Sequence, residues 1–206
     1  MIIEALEKEK GISFNGNNIR NLRYADDAAL VADTKRKLQK MLDKLNESCK
    51  VYGMAINVNK TKVMVVCKEG KTQCCVTLDN MVLEQVEQYK YLGVWITENA
   101  RCEQDIRARI GMAKVAFWQN KEIMRRNVRI QTKKKKILNC YVFSVLNYGC
   151  ETWTWNKTMS RKVDAFEMWC YRRMLTISCK DRVTNIELLN TVNRAETDNA
   201  SIYTRR

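Results

Sequence analysis

The hydrophobic period of this 206-residue chain changes once, close to residue 100, and that change limits the folds open to it. Before it, apolar residues alternate with polar ones or gather in short runs, the patterns of half-buried and buried strands. After it, they recur at about 3.6-residue spacing, the mark of helices that bury one face. Ile106, Ile110, Ala113 and Phe117 share such a face. So do Ile137, Leu138, Tyr141, Val142, Val145 and Leu146, and so do Val163, Phe166, Cys170, Met174 and Ile177. The expected class is α+β, with a mixed part over residues 1–98 and an all-helical part over 99–206.

The mixed part opens on MIIEALEKEKG, read as the end of a helix closed by Gly11, so the chain is expected to start inside an element. Residues 12–32 alternate and then run apolar from Ala28 to Ala32, with a tight hairpin turn at Ala25-Asp26-Asp27. Asp33-Thr34 offers an N-cap to a helix whose buried face is Leu38, Met41, Leu42, Leu45 and Cys49 and whose stop signal is Gly53. Residues 56–66 form a second β region. Residues 74–97 hold short strands, with a turn at 78–81 and the last strand at 89–96. In the helical part, Thr184 and Glu187 form a capping box for a last short helix. The final dozen residues are polar and expected to fray.

A formal net charge of +14 favours a polyanionic partner and salt-sensitive binding. No apolar run is long enough for a bilayer, and the N-terminal stretch lacks the apolar core of a signal peptide. No membrane partner is expected, and the location expected is intracellular, nuclear or cytoplasmic. The nine cysteines are scattered through apolar segments, with Cys74-Cys75 adjacent and no C-x-x-C pair. Together with zero histidines, this argues for reduced thiols and against both a disulfide framework and a structural zinc site.

Two constellations carry chemistry. Asp26 and Asp27, adjacent carboxylates at a hairpin tip, repel one another unless a cation lies beside them. Oxygen ligands of this kind suit Mg2+, and a two-metal site serves phosphoryl transfer. A lone Asp-Asp pair is more simply a surface turn; Tyr24, the flanking strands and the ordered sequence downstream favour the metal reading. The second constellation is Lys121, Arg125, Arg126, Arg129, Lys133, Lys134, Lys135 and Lys136, opposed only by Glu122. On two helices joined by a turn it would follow a phosphate backbone without reading sequence. The plain alternative is a solvated charged face. Trp153, Trp155 and Trp169 near Arg172-Arg173 suit core packing better than stacking on bases.

Tyr24-Ala25-Asp26-Asp27 resembles the polymerase hairpin of reverse transcriptases, most of all those of non-long-terminal-repeat (LINE-type) retrotransposons. Residues 53–62, GMAINVNKTK, resemble the next palm motif, and Tyr91-Leu92-Gly93-Val94 resembles the primer-grip hairpin. Residues 148–153 and 166–175 resemble the thumb and post-thumb region of the same elements. The resemblance implies a truncated palm, a small antiparallel sheet with one packed helix, followed by an all-α thumb. It implies RNA-directed DNA polymerase activity with Mg2+, on RNA template, DNA primer and deoxynucleotide triphosphates. Asp26 would be the main metal-binding carboxylate and Asp27 its supporting partner. Tyr24 and Ala25 would lie near the primer terminus and incoming nucleotide. Lys60 would act at the triphosphate, and Tyr91, Leu92 and Gly93 would hold the primer. Family members also carry fingers and a first palm carboxylate upstream, for which Glu4, Glu7 and Glu9 are no replacement. The chain is therefore expected to be inactive alone and to need a separate fragment to complete the palm. The alternatives are a non-catalytic module that binds RNA or RNA–DNA hybrid, and a remnant without function.

Overall fold

The computed structural model describes residue 6 and residues 9–67, 72–122 and 136–192. The helix expected at the N-terminus, most of the basic run and the polar tail lie largely or wholly outside these residues. The chain divides into two compact units, Met1–Ala100 and Arg101–Arg206. The class is α+β: among the described residues every strand lies in the first unit, and the second is helical.

Among the described residues the first unit holds ten short strands and one long helix. The strands pair as β1 (Ile12–Phe14) with β2 (Asn17–Ile19), β3 (Asn21–Tyr24) with β4 (Asp27–Leu30), and β6 (Thr77–Leu78) with β7 (Met81–Val82). β9 (Gln88–Tyr91) pairs with β10 (Val94–Thr97), and β5 (Lys62–Val63) pairs in parallel with β8 (Glu84–Gln85). This corrects the expectation of one small antiparallel sheet. Among the described residues there are five separate two-stranded ladders. Their brevity has a local cause. Three of the hairpins turn through two residues that both have positive φ: Asn15-Gly16, Asp79-Asn80 and Leu92-Gly93. Such turns match the right-handed twist of a strand pair and close it tightly. The turn at Leu92-Gly93 also divides residues 89–96, expected as a single strand, into β9 and β10.

Helix α1 (Lys35–Val51) starts as the sequence indicates, with the Thr34 side chain accepting from the Lys37 amide. It ends in a Schellman arrangement: Gly53, at φ +67°, donates to Lys50 O, and Met54 donates to Cys49 O. Met41, Leu42, Leu45 and Cys49 are buried along it. Leu42 joins Val63, Val76, Leu78 and Leu83 in the core of this unit, with Leu30, Leu38, Ile56 and Val58 at its margin. Polar contacts fix the helix to the strands. The Gln39 amide bonds both the amide and the carbonyl of Thr77, and Asp79 accepts from Asn46 and Lys50. The helix end expected ahead of Gly11 falls on residues outside the described ones, and Gly11 itself lies against the backbone of Ile19 and Arg20. A Cβ there would lie 2.0 Å from Ile19 O, so its role is close passage of two backbone segments.

The second unit is built from α2 (Glu103–Gln119), a π-helical turn (Leu138–Phe143) running into α3 (Ser144–Leu146), α4 (Lys157–Met174) and α5 (Asn185–Thr191). Its core holds Ile106, Ala113, Phe117, Leu138, Val142, Phe143, Leu146, Trp153, Phe166, Tyr171 and Leu188. Tyr141, expected in the core, is 52% exposed, while Phe143 is buried. The π-helical turn explains the exchange, because its wider winding rotates the buried face away from the 3.6-residue spacing. The core also encloses polar groups that are paired: the Trp153 indole donates to Asp105 Oδ2 at 2.8 Å, and the Tyr171 hydroxyl to Glu167 Oε1 at 2.9 Å. The Thr184–Glu187 capping box forms as expected.

Candidate functional site

The β3–β4 hairpin puts the two carboxylates at its tip. Asn21 faces Leu30 and Tyr24 faces Asp27 across the ladder, so Ala25 and Asp26 are the two turn residues and Asp27 begins β4. Only the first of them, Ala25, has positive φ, at +52°. This differs from the three other two-residue turns. A non-glycine residue in this region stores about 1–2 kcal/mol of backbone strain. Tyr24, Ala25, Asp26 and Asp27 are all exposed. β4 leads directly into α1 through Asp33-Thr34, and Leu30 reaches the margin of the core. The apolar run after Asp27 thus anchors the hairpin, and its polar tip is left in solvent.

The β9–β10 hairpin meets this one. The Tyr91 hydroxyl donates to Leu22 O, on β3, at 3.3 Å. Partial burial holds the Tyr91 phenol above its ordinary titration range, and the negative charge of Asp27 pushes it in the same direction. Tyr91 is half-buried, Leu92 is exposed and Gly93 is half-buried at the turn. Of the residues named from sequence, the structure therefore brings together Tyr24, Ala25, Asp26, Asp27 and Tyr91, with Leu92 and Gly93 carried on the second hairpin.

Lys60 lies exposed in a loop fixed by its own neighbours. Its amide donates to Asn57 Oδ1, and the Thr61 amide and hydroxyl both donate to Asn57 O. Of the basic run, Lys121 and Lys136 are described, whereas Arg125, Arg126, Arg129, Lys133, Lys134 and Lys135 lie outside the described residues. Lys121 sits 5.2 Å above the ring of Trp118. Trp153 is buried in the core, as expected from sequence. Sequence reasoning missed Trp118, which is 44% exposed on α2 with Lys121 and Arg173 over its ring. The signal for it was present in Trp118 and Lys121 standing three residues apart at the start of the basic run.

As a metal seat, the hairpin fits in kind. Asp26 and Asp27 offer hard oxygen donors, suited to a hard divalent ion. Among the described residues no group of three or more His, Cys, Asp or Glu is placed to share an ion. Glu9, the one acidic residue before Asp26 within the described region, is committed elsewhere. It pairs with Lys44 at 2.6 Å and Lys40 at 3.1 Å on α1, and those bonds hold its carboxyl below the usual range.

Residues 2–96, which include both hairpins, match the family model "Reverse transcriptase (RNA-dependent DNA polymerase)". The relatives extend the similarity to mobile elements. The chain is 31% identical over 170 residues to a transposon-derived protein of Caenorhabditis elegans, covering 80% of this chain and 59% of that protein. It is 28% identical over 110 residues to the retrovirus-related Pol polyprotein from a type-2 retrotransposable element of Drosophila melanogaster, covering 48% of this chain and 10% of that protein. The chain thus spans less than two thirds of either relative. No solved structure matches it. Among the described residues, no helix is long and apolar enough to cross a membrane.

Proposed function

We propose that these 206 residues are a palm and thumb portion of the RNA-directed DNA polymerase of a non-long-terminal-repeat retrotransposon. The observation that carries this reading is the junction of the two hairpins through Tyr91 and Leu22 O, with Asp27 close enough for its charge to act on the phenol. That junction gives the carboxylate tip and the primer-grip-like turn a common frame. Asp26 and Asp27 would hold Mg2+, which supplies charge stabilisation to phosphoryl transfer when bound. Tyr24 and Ala25 would border the primer terminus and the incoming deoxynucleotide, and the backbone at Leu92-Gly93 would press on the primer strand. Lys60 would meet the triphosphate, where a lysine stabilises the departing pyrophosphate. The basic run from Lys121 to Lys136 would follow the backbone of the RNA–DNA hybrid.

Two carboxylates do not complete a metal cage, and Glu9 is held by two lysines. A further carboxylate and the cover over the nucleotide would come from sequence outside residues 1–206, in the same polyprotein or a separate fragment. The 206-residue chain by itself is then a non-catalytic binder of RNA or RNA–DNA hybrid, a reading that the net charge of +14 also favours. Primer extension on an RNA template with a DNA primer, in Mg2+ and then Mn2+, tests this. The isolated chain is expected to bind the hybrid and extend nothing. Extension that disappears in the Asp26→Asn, Asp27→Asn double variant would show a self-sufficient site and overturn the dependence on further sequence.

A further inference from the structure

The second unit carries an aromatic and cationic cluster that its core does not explain. Phe117, Trp118, Phe166 and Trp169 pack edge-on or stacked, with centroid separations of 5.1–6.1 Å. Phe117 and Phe166 are buried, and they account for the packing of α2 on α4. Trp118 faces outward at 44% exposure. Cations surround the two indoles. Arg173 Cζ lies 5.0 Å from the ring centre of Trp118 and 4.8 Å from that of Trp169. Lys121 Nζ lies 5.2 Å from Trp118, and Lys114 Nζ 5.7 Å from Trp169. Among the described residues, no carboxylate forms an ion pair with Lys114, Lys121, Arg172 or Arg173.

Beside the indole is an open cleft of about 260 Å³, lined by Phe117, Trp118, Lys121, Arg172, Arg173 and Ile177, with the hydroxyl residues Thr176 and Ser178 at its edge. Arg172 is fixed: its guanidinium donates to Val183 O and to Asn185 Oδ1. At this rim the Asp181 carboxylate accepts from the Ser178 amide in a local cap. The cleft therefore joins a part-exposed indole, with Lys121 and Arg173 over its ring, to a third cation, Arg172, and among the described residues no carboxylate pairs with any of the three. Drug-sized ligands fill cavities of roughly 300–1,000 Å³, so this cleft has room for little more than one nucleotide unit.

We propose that this cleft binds single-stranded nucleic acid, with one base against Trp118 and the adjoining phosphate between Lys121 and Arg173. Stacking on an exposed aromatic ring with a basic track beside it is how strands are held without sequence readout. Arg173 can contribute through its guanidinium plane as well as its charge. The proposal rests on the nucleic-acid reading above for its ligand class. It needs neither the Asp26–Asp27 hairpin nor polymerase activity.

The test is fluorescence anisotropy of the full 206-residue chain with a short labelled single-stranded RNA. It is run in chelator, without primer or nucleotides, so a dead polymerase site does not affect the result. Wild type is expected to bind, and Trp118→Ala to weaken binding about 5- to 160-fold, the range found for loss of one stacked base. Trp118→Phe, which keeps a ring, should restore most of the loss. Competition by inorganic polyphosphate should be equally effective against wild type and Trp118→Ala, since it engages charge alone. Arg173→Gln should reduce the slope of log affinity against log salt by about 0.7, the value for one single-strand phosphate contact. Binding unchanged in Trp118→Ala with an unaltered salt slope in Arg173→Gln would overturn the proposal, as would absence of binding by wild type. If Trp118→Ala fails to fold, Trp118→Phe and Arg173→Gln decide the question on the same criteria.

Discussion

Replacing Trp153 with phenylalanine tests whether the helical unit is held by its buried polar pair. Trp153 and Asp105 are each 1% exposed, and the indole donates to the carboxylate at 2.8 Å. Arg109 lies on the same helix as Asp105, with Nε 3.9 Å from Oδ1. Phenylalanine keeps most of the apolar contact and removes the donor. Loss of a hydrogen bond to a charged group costs about 1.5–3 kcal/mol. The smaller ring leaves a void that adds about 1 kcal/mol. The expected destabilisation is therefore about 3 kcal/mol, read as a lowered urea midpoint at unchanged slope in the near-ultraviolet signal of the second unit. Asp105→Asn, which keeps an acceptor, should cost less than Asp105→Ala. Trp153→Phe within about 0.5 kcal/mol of wild type, the range of an ordinary surface substitution, would refute the reasoning.

Ala25→Gly should stabilise the first unit by up to about 1 kcal/mol, because φ of +52° at the turn costs alanine strain that glycine does not pay, offset by the entropy of a freer unfolded chain; chemical denaturation checks this, and a marked loss of stability would contradict the turn geometry. Acid should loosen the packing of Glu9 on α1. Its folded-state pKa is lowered by Lys44 and Lys40, so its contribution is complete above the ordinary glutamate value of about 4.3 and disappears as pH falls through the lowered folded value. Glu9→Gln should show a smaller loss of stability than wild type over that interval, measured by denaturant midpoints at stepped pH.

Much of this architecture was legible in the chain because it is local. Thr34, Gly53 and the Thr184–Glu187 box announce helix ends through backbone bonds made within a few residues. The hairpin at Ala25-Asp26 followed from two apolar runs around a polar pair. Two things were not legible. The π-helical turn at Leu138–Phe143 displaces Tyr141 from the core, and no periodicity reading allows for it, since it assumes 3.6 residues per turn throughout. The division into five two-stranded ladders depends on positive φ at Asp79, Asn80 and Leu92, residues that adopt it less readily than glycine. At the candidate site, Asp26, Asp27 and Tyr91 could be named from pattern, but the bond from Tyr91 to Leu22 O joins residues far apart in sequence and had no local signal. Trp118 was passed over for a related reason. A tryptophan on an apolar helix reads as core, and only packing shows which side of it stays in solvent.

We propose that Asp26 and Asp27, on the β3–β4 hairpin, contribute to a polymerase metal site. Primer extension on an RNA template, with the upstream fingers and palm segment of a reverse transcriptase supplied in trans, tests it most directly. No product is expected from the chain alone, product from the complemented chain, and none when Asp26 and Asp27 are both asparagine. Equal product from the complemented wild type and the asparagine double variant would contradict it.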